Sequence, residues 1–103
     1  MSTFVSSDAW LLLALLYAKE PATRARIREV GDFINHAIFT DKELDEGLSR
    51  LLSVNYVVAN EKTYHVSPEV LRWYESQSKG KKHTHVFKDM ERVERYLGIK
   101  PRT

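Results

Sequence analysis

The chain has 103 residues, of which 43% are hydrophobic and 29% charged, and this composition predicts one globular domain with a modest core. It contains no cysteine, which excludes disulfides, thiolate metal sites and a cysteine nucleophile. The formal net charge of +2 is unevenly distributed, because residues 1–78 carry 8 basic and 11 acidic side chains whereas residues 79–103 carry 8 and 3. The basic character therefore lies in the C-terminal quarter.

The first predicted helix is almost uniformly apolar. We expect it to begin after Ser7 as N-cap, to run to about Lys19 and to stop before Pro21. Residues 9–18 leave hardly any polar face, so this helix must be covered on more than one side. The apolar run is too short to span a bilayer, which takes roughly 20 residues, and no basic residue precedes it as in a signal peptide. These features favour a buried helix in a cytoplasmic protein.

The second predicted helix begins at Thr23 as N-cap and runs to about Asn35. Its expected inward stripe consists of Ile27, Val30 and Ile34, with Phe33 alongside. Gly31 inside this helix weakens it by about 1 kcal/mol relative to alanine, and this suggests a close packing contact. His36 follows at the position of a C-cap.

The third predicted helix carries the clearest start signal in the chain. Thr40 and Glu43 form a capping box, in which the threonine hydroxyl accepts the Glu43 amide and the glutamate reaches back. The inward leucines follow at helical spacing: Leu44, Leu48, Leu51 and Leu52. With the second helix and the connection 37–39, this helix forms a predicted helix-turn-helix.

The periodicity then changes to that of strands. Residues 56–59 and 63–66 form two β-prone runs joined by a short turn, with Val57, Tyr64 and Val66 expected inward and His65 outward in solvent. A very short third extended piece is expected near residues 22–23. The sequence therefore predicts a mainly α fold with a small β-hairpin.

Two further helices complete the predicted fold. The fourth begins at Pro68 after Ser67 as N-cap, and residues 76–82 form a basic loop. The fifth runs from about His85 to Leu97, and its apolar seam consists of Val86, Met90, Val93 and Leu97. This seam is expected to cover the first helix, either within the chain or across a homodimer, which is the arrangement we favour.

Residues 27–67 resemble the winged helix-turn-helix domain of prokaryotic transcriptional regulators. The matching positions are Leu44 with Leu48–Leu52, then Asn55-Tyr56-Val57 where such domains carry Gly-Leu-Ile, and Tyr64-His65-Val66-Ser67 in place of Tyr-x-Leu-Thr. The resemblance implies a winged helix over residues 1–75, with residues 76–103 as a basic loop and C-terminal helical extension. It also implies a DNA-binding, transcription-regulator-like function, with the third helix in the major groove and the hairpin as wing.

The DNA-binding residues that follow from this resemblance lie on three elements and a loop. Lys42, Ser49 and Arg50 would face the groove from the third helix. Arg24, Arg28 and Lys62 would neutralise phosphates, together with Lys81 and Lys82 of the loop.

The charges of the third helix also support an alternative function. Its first six residues include four carboxylates, and capping accounts only for Asp41 and Glu43. Asp45 and Glu46 remain, and they favour a basic protein partner, so that the module would be a protein-interaction adaptor that does not bind DNA.

No pattern in the chain indicates an enzyme, a cofactor or a metal site. Glycine-rich phosphate loops, nucleophile elbows and His-Glu-x-x-His motifs are all missing from the sequence. His83 and His85 supply only two imidazoles without neighbouring acidic ligands, which is too few for a typical zinc site.

Overall fold

The computed structural model describes residues 4–78 and 86–99, which form five helices and one antiparallel hairpin. The helices are α1 (Ser6–Ala18), α2 (Arg24–Asn35), α3 (Asp41–Ser53), α4 (Pro68–Ser78) and α5 (Val86–Tyr96). The strands are β1 (Val57–Asn60) and β2 (Thr63–Val66). This confirms the predicted mainly α, winged-helix-like architecture with a small hairpin and a C-terminal helical extension.

Local capping signals explain most of the helix boundaries. The Thr40–Glu43 capping box is present, with the Glu43 amide 3.0 Å from Thr40 Oγ1 and the Thr40 amide 2.9 Å from Glu43 Oε1. Thr23 caps α2 through the Arg26 amide, and Ser67 accepts the Val70 amide at the start of α4. The predicted N-terminal boundaries of these three helices are confirmed.

The predicted cap of α1 was wrong. The helix begins at Ser6 with Val5 as N-cap, rather than after Ser7. Val5 has no side-chain acceptor; instead its own amide donates to Asp8 Oδ2 at 3.0 Å. The carboxylate of Asp8 thus takes over the capping role one turn into the helix.

Helix α1 is the central element of the core. Residues 9–16 of this helix are all buried, and α2, α3, β2 and α5 pack around it. The predicted need for cover on several sides is therefore met within one chain. Val93 and Leu97, from α5 and the turn after it, are almost completely buried.

A buried polar cluster joins α5 to α1 and α4. Asp89, which is 1% exposed, accepts hydrogen bonds from the Tyr17 hydroxyl at 2.6 Å, the Tyr74 hydroxyl at 3.2 Å and Arg92 Nη1 at 3.2 Å. Burial raises the pKa of Tyr17 well above its usual value, and the hydrogen bond to Asp89 is the second largest cause of this increase. The three partners let a carboxylate sit in the interior without an unmet hydrogen bond.

Gly31 permits a close approach between α2 and the turn that follows it. A methyl group at this position would collide with the ring of Phe39, which stacks on Trp10 with centroids 3.6 Å apart. The Trp10 indole also donates to the Gly31 carbonyl oxygen at 3.0 Å. The packing role predicted for this glycine is confirmed.

The hairpin lies against α1 and is extended by one backbone bridge. Val57 pairs with Val66 and Asn60 with Thr63, while Ala22 exchanges two backbone hydrogen bonds with Tyr64. The expected extended piece near residues 22–23 is thus present as an isolated bridge. Val57 is buried, whereas Tyr64 and Val66 are half-buried.

The predicted basic loop over residues 76–82 is only partly covered by the residues that the structure describes. Residues 76–78 continue α4 rather than opening a loop. The remainder of the predicted basic loop, which includes Lys81, Lys82 and the His83–His85 pair, falls outside the described residues.

Candidate interaction surface

The outer side of the helix-turn-helix is built by two arginines of α2 that reach α3. Arg24 Nη1 lies 2.7 Å from Asp45 Oδ1, and Arg28 pairs with Asp41. Arg28 Nε also donates to the Phe39 carbonyl oxygen at 3.2 Å. The arginine side chains remain about one-third exposed, so these pairs tie the two helices together at the surface.

These contacts change the interpretation of the charges on α3. Asp45 was assigned to a basic partner, but it pairs with Arg24 of the same chain. Of the four carboxylates at the start of α3, the cap and the arginine pairs engage all except Glu46, which is exposed. The surface around Arg24, Arg28, Asp41 and Asp45 is therefore close to neutral.

Arg50 faces the interior side of α3 rather than the outer side. Its Nε lies 2.7 Å from Asp8 Oδ2 and its Nη2 lies 2.9 Å from Oδ1, in a bidentate ion pair with a carboxylate that is fully buried. The hydrogen bond to Asp8 raises the pKa of Arg50. This arginine holds α3 against the start of α1. Because its guanidinium is engaged by Asp8, the geometry does not support the role in reading DNA bases that the sequence analysis assigned to it.

The remaining residues assigned to DNA binding are exposed. Lys42 and Ser49 lie on α3, and Lys62 lies at the tip of the hairpin. Each lysine has acidic neighbours in the chain, Asp41 and Glu43 beside Lys42 and Glu61 beside Lys62.

Two large apolar side chains stand exposed at the end of α2 and in the turn before α3. Phe33 is 72% exposed and Ile38 is 67% exposed. Phe33 was expected beside the inward stripe of α2. Successive residues of a helix are rotated by about 100°, and because Ile34 faces inward, the preceding Phe33 lies at the outer edge of that stripe. We call Phe33 and Ile38 the turn patch.

The sequence reasoning missed the turn patch. The Phe39 ring fills the space beside Gly31 and is 1% exposed, whereas the neighbouring Ile38 is exposed.

Comparison of the chain with protein-family models, with curated proteins and with solved structures finds no match. Within residues 4–78 and 86–99, no helix is long and apolar enough to cross a membrane. No cluster of three or more metal-binding side chains occurs in the same two segments.

Proposed function

We propose that this chain is a winged-helix-like protein-interaction module that binds its partner through the turn patch. The observation that carries the proposal is the exposure of Phe33, at 72%, and Ile38, at 67%, which lie five residues apart in the chain. Large apolar side chains grouped at the surface are typical of sites where one protein docks on another.

A pull-down from an extract of the cells that express the protein tests this function. The variant F33S/I38S should lose the partner that the unchanged chain retains, because truncating an apolar anchor removes most of the binding energy of such an interface. The control V5S/V54S removes two apolar side chains of comparable kind, 47% and 41% exposed, from other places on the surface. Retention of the partner by F33S/I38S would contradict the proposal.

DNA binding as a transcription-regulator-like module is the second candidate, and the order of elements favours it. Lys42 and Ser49 on α3 and Lys62 on the wing occupy the positions expected to contact a duplex. Phosphate binding by Arg24 or Arg28 would have to compete with Asp41 and Asp45.

Fluorescence anisotropy with a labelled random duplex at low salt separates the two functions. Non-specific binding that weakens steeply with salt, and weakens further in K42A/K62A, would support DNA binding. Absence of binding at low salt, together with a nuclease-resistant partner that needs the turn patch, would support the protein-interaction function.

A further inference from the structure

A pocket opens between the second half of α4 and the second half of α5. Its volume is about 230 Å³. Five side chains line it: Trp73 and Gln77 from α4, and Arg92, Arg95 and Tyr96 from α5. None of these described lining residues is acidic, and the lining is more polar than apolar. The pocket therefore combines two guanidinium groups and an amide with two aromatic rings.

Arg92 is a fixed hydrogen-bond donor in this pocket. Its Nη1 donates to Asp89 Oδ1 at 3.2 Å, and the buried Asp89 is held in turn by the hydroxyls of Tyr17 and Tyr74. The Nε and Nη2 atoms of Arg92 make no hydrogen bond to a described residue, yet both retain accessible surface. Their N–H groups are therefore available to a ligand, and the anchored side chain loses little conformational freedom when it binds one.

Arg95 supplies the charge that selects an anion. Asp89 offsets the charge of Arg92, whereas Arg95 is exposed and forms no ion pair within the described segments. Arg95 follows Arg92 by three residues, a spacing that brings two side chains to the same side of a helix. The pocket thus keeps a net positive charge. Hydrogen bonds from guanidinium groups to oxyanions are among the strongest in proteins.

The number of donor groups favours a phosphate over a carboxylate. Gln77 is exposed at the pocket, and its amide adds a third donor group to those of the two arginines. A phosphate monoester presents three terminal oxygens that accept hydrogen bonds, one for each of these three side chains. A carboxylate presents only two.

The aromatic wall favours a ring on the ligand. Trp73 stacks on Tyr96 with ring centroids 4.3 Å apart, and the Tyr96 centroid lies 5.2 Å from that of Tyr56. Trp73 is therefore held in place by its neighbours, and rings of this kind pack favourably on other rings. A cavity of about 150 Å³ in another protein holds a benzene molecule. A pocket of about 230 Å³ consequently has room for one ring and its phosphate.

We propose that this pocket binds the phosphate monoester of a small aromatic ring. The phosphate oxygens accept hydrogen bonds from Arg92, Arg95 and Gln77, and the ring packs against Trp73. The same chemistry occurs in a free aryl phosphate and in a phosphotyrosine side chain. The site is separate from the turn patch and does not depend on the function proposed for that patch.

Titration of the ¹⁵N-labelled full chain with phenyl phosphate, phenol and inorganic phosphate tests the site. The signals of the Trp73 indole N–H, the Gln77 side-chain amide and the arginine Nε–H groups should move with phenyl phosphate. This probe should bind at least about tenfold more tightly than phenol, which lacks the charged acceptor. It should also bind at least about threefold more tightly than inorganic phosphate, which lacks the ring.

A blocked Gly-phosphotyrosine-Gly peptide distinguishes the two sources of the ligand. Affinity equal to or above that of phenyl phosphate points to a phosphotyrosine side chain of a protein partner, because the flanking backbone then fits beside the pocket. Lower affinity points to a free aryl phosphate.

Three variants that each lower the net charge by one complete the test. Arg95→Gln should weaken the binding of phenyl phosphate at least about tenfold, because it removes a charged donor. Gln77→Glu should have a similar effect, because it places a carboxylate in the pocket. Arg72→Gln is the matched control: Arg72 is exposed on α4 but does not line the pocket, so affinity should change less than about threefold. The dispersion of the amide spectrum checks that each variant is folded.

Equal affinity of the unchanged chain for phenyl phosphate and phenol would overturn the proposal. So would shifts centred outside the pocket, or millimolar phenyl phosphate that leaves the pocket signals unmoved. Equal losses in Arg95→Gln and Arg72→Gln would do the same, because they would show a general effect of charge rather than a site.

Discussion

Among single-residue contacts, the ion pair between Asp8 and Arg50 joins α3 to α1 through a buried carboxylate. Asp8 is completely buried, and its two oxygens accept from Arg50 and from the Val5 amide. A buried carboxylate is tolerated only while such partners are present. This pair therefore anchors α3 to the first turn of α1.

Replacing Arg50 tests that dependence. Arg50→Ala leaves the buried Asp8 without its charged partner and should lower the free energy of unfolding by about 3 kcal/mol. Urea denaturation followed by circular dichroism measures this loss. The control is Lys42→Ala on the exposed side of the same helix, which should change stability by less than about 0.5 kcal/mol.

A small effect of Arg50→Ala, equal to that of Lys42→Ala, would contradict the anchoring role.

Among the secondary-structure elements, the β-hairpin contains a strained residue at its tip. Glu61 adopts a φ of 55°, in the left-handed region that non-glycine residues usually avoid. Asn55, with a φ of 62°, occupies a second such position between α3 and β1. It stands where the resembling domains carry glycine, and asparagine tolerates this conformation better than most residues.

Replacing Glu61 by asparagine should relieve this strain. Glu61→Asn should raise the free energy of unfolding by about 1 kcal/mol, because the left-handed conformation costs glutamate more than asparagine. Thermal denaturation measures the gain. Glu61→Ala removes the carboxylate without relieving the backbone, so an equal gain in that variant would show that charge, rather than conformation, is responsible.

At the scale of the whole molecule, the cluster around Asp89 makes the packing of α5 sensitive to alkaline pH. An unfolded tyrosine loses its proton near pH 10, whereas the pKa of folded Tyr17 lies higher because of burial and the Asp89 hydrogen bond. Burial also raises the pKa of Tyr96, on α5, to about 12. Stability is therefore complete below pH 10 and falls as the pH rises above it, because proton loss favours the unfolded state.

The variant Tyr17→Phe measures how much the hydrogen bond from Tyr17 to Asp89 contributes to stability. At pH 8 the variant should be less stable by about 2 kcal/mol, because it leaves buried Asp89 with one partner fewer. Above pH 10 its melting temperature should fall less steeply than that of the unchanged chain. Parallel curves for the two proteins between pH 8 and pH 11.5 would show that Tyr17 does not couple α5 to pH.

The homodimer stays a prediction, and its original reason no longer applies. The dimer was expected because α1 needed cover on several sides, and α5 of the same chain supplies that cover. Sedimentation at micromolar concentration measures whether two copies nevertheless associate.

Elements whose signals are local could be predicted from the amino-acid sequence. Caps at Thr23, Thr40 and Ser67 and the change of period after α3 act over a few residues, so the starts of α2, α3 and α4 and the hairpin were predictable, whereas the start of α1 was not. The glycine contact at Gly31 and the C-cap at His36 followed from the same local reasoning. His36 indeed adopts a left-handed φ of 54° there and donates to the Asp32 carbonyl oxygen.

Which charged and apolar side chains are available to a partner depends on contacts between residues far apart in the chain. Arg50 and Asp8 are 42 residues apart, and Tyr17 and Asp89 are 72 apart, so no spacing rule links them. The same holds for His65, which was expected in solvent but is half-buried with its Nδ1 enclosed. Side chains compete for a limited interior, and the outcome of that competition is settled only when all elements are in place.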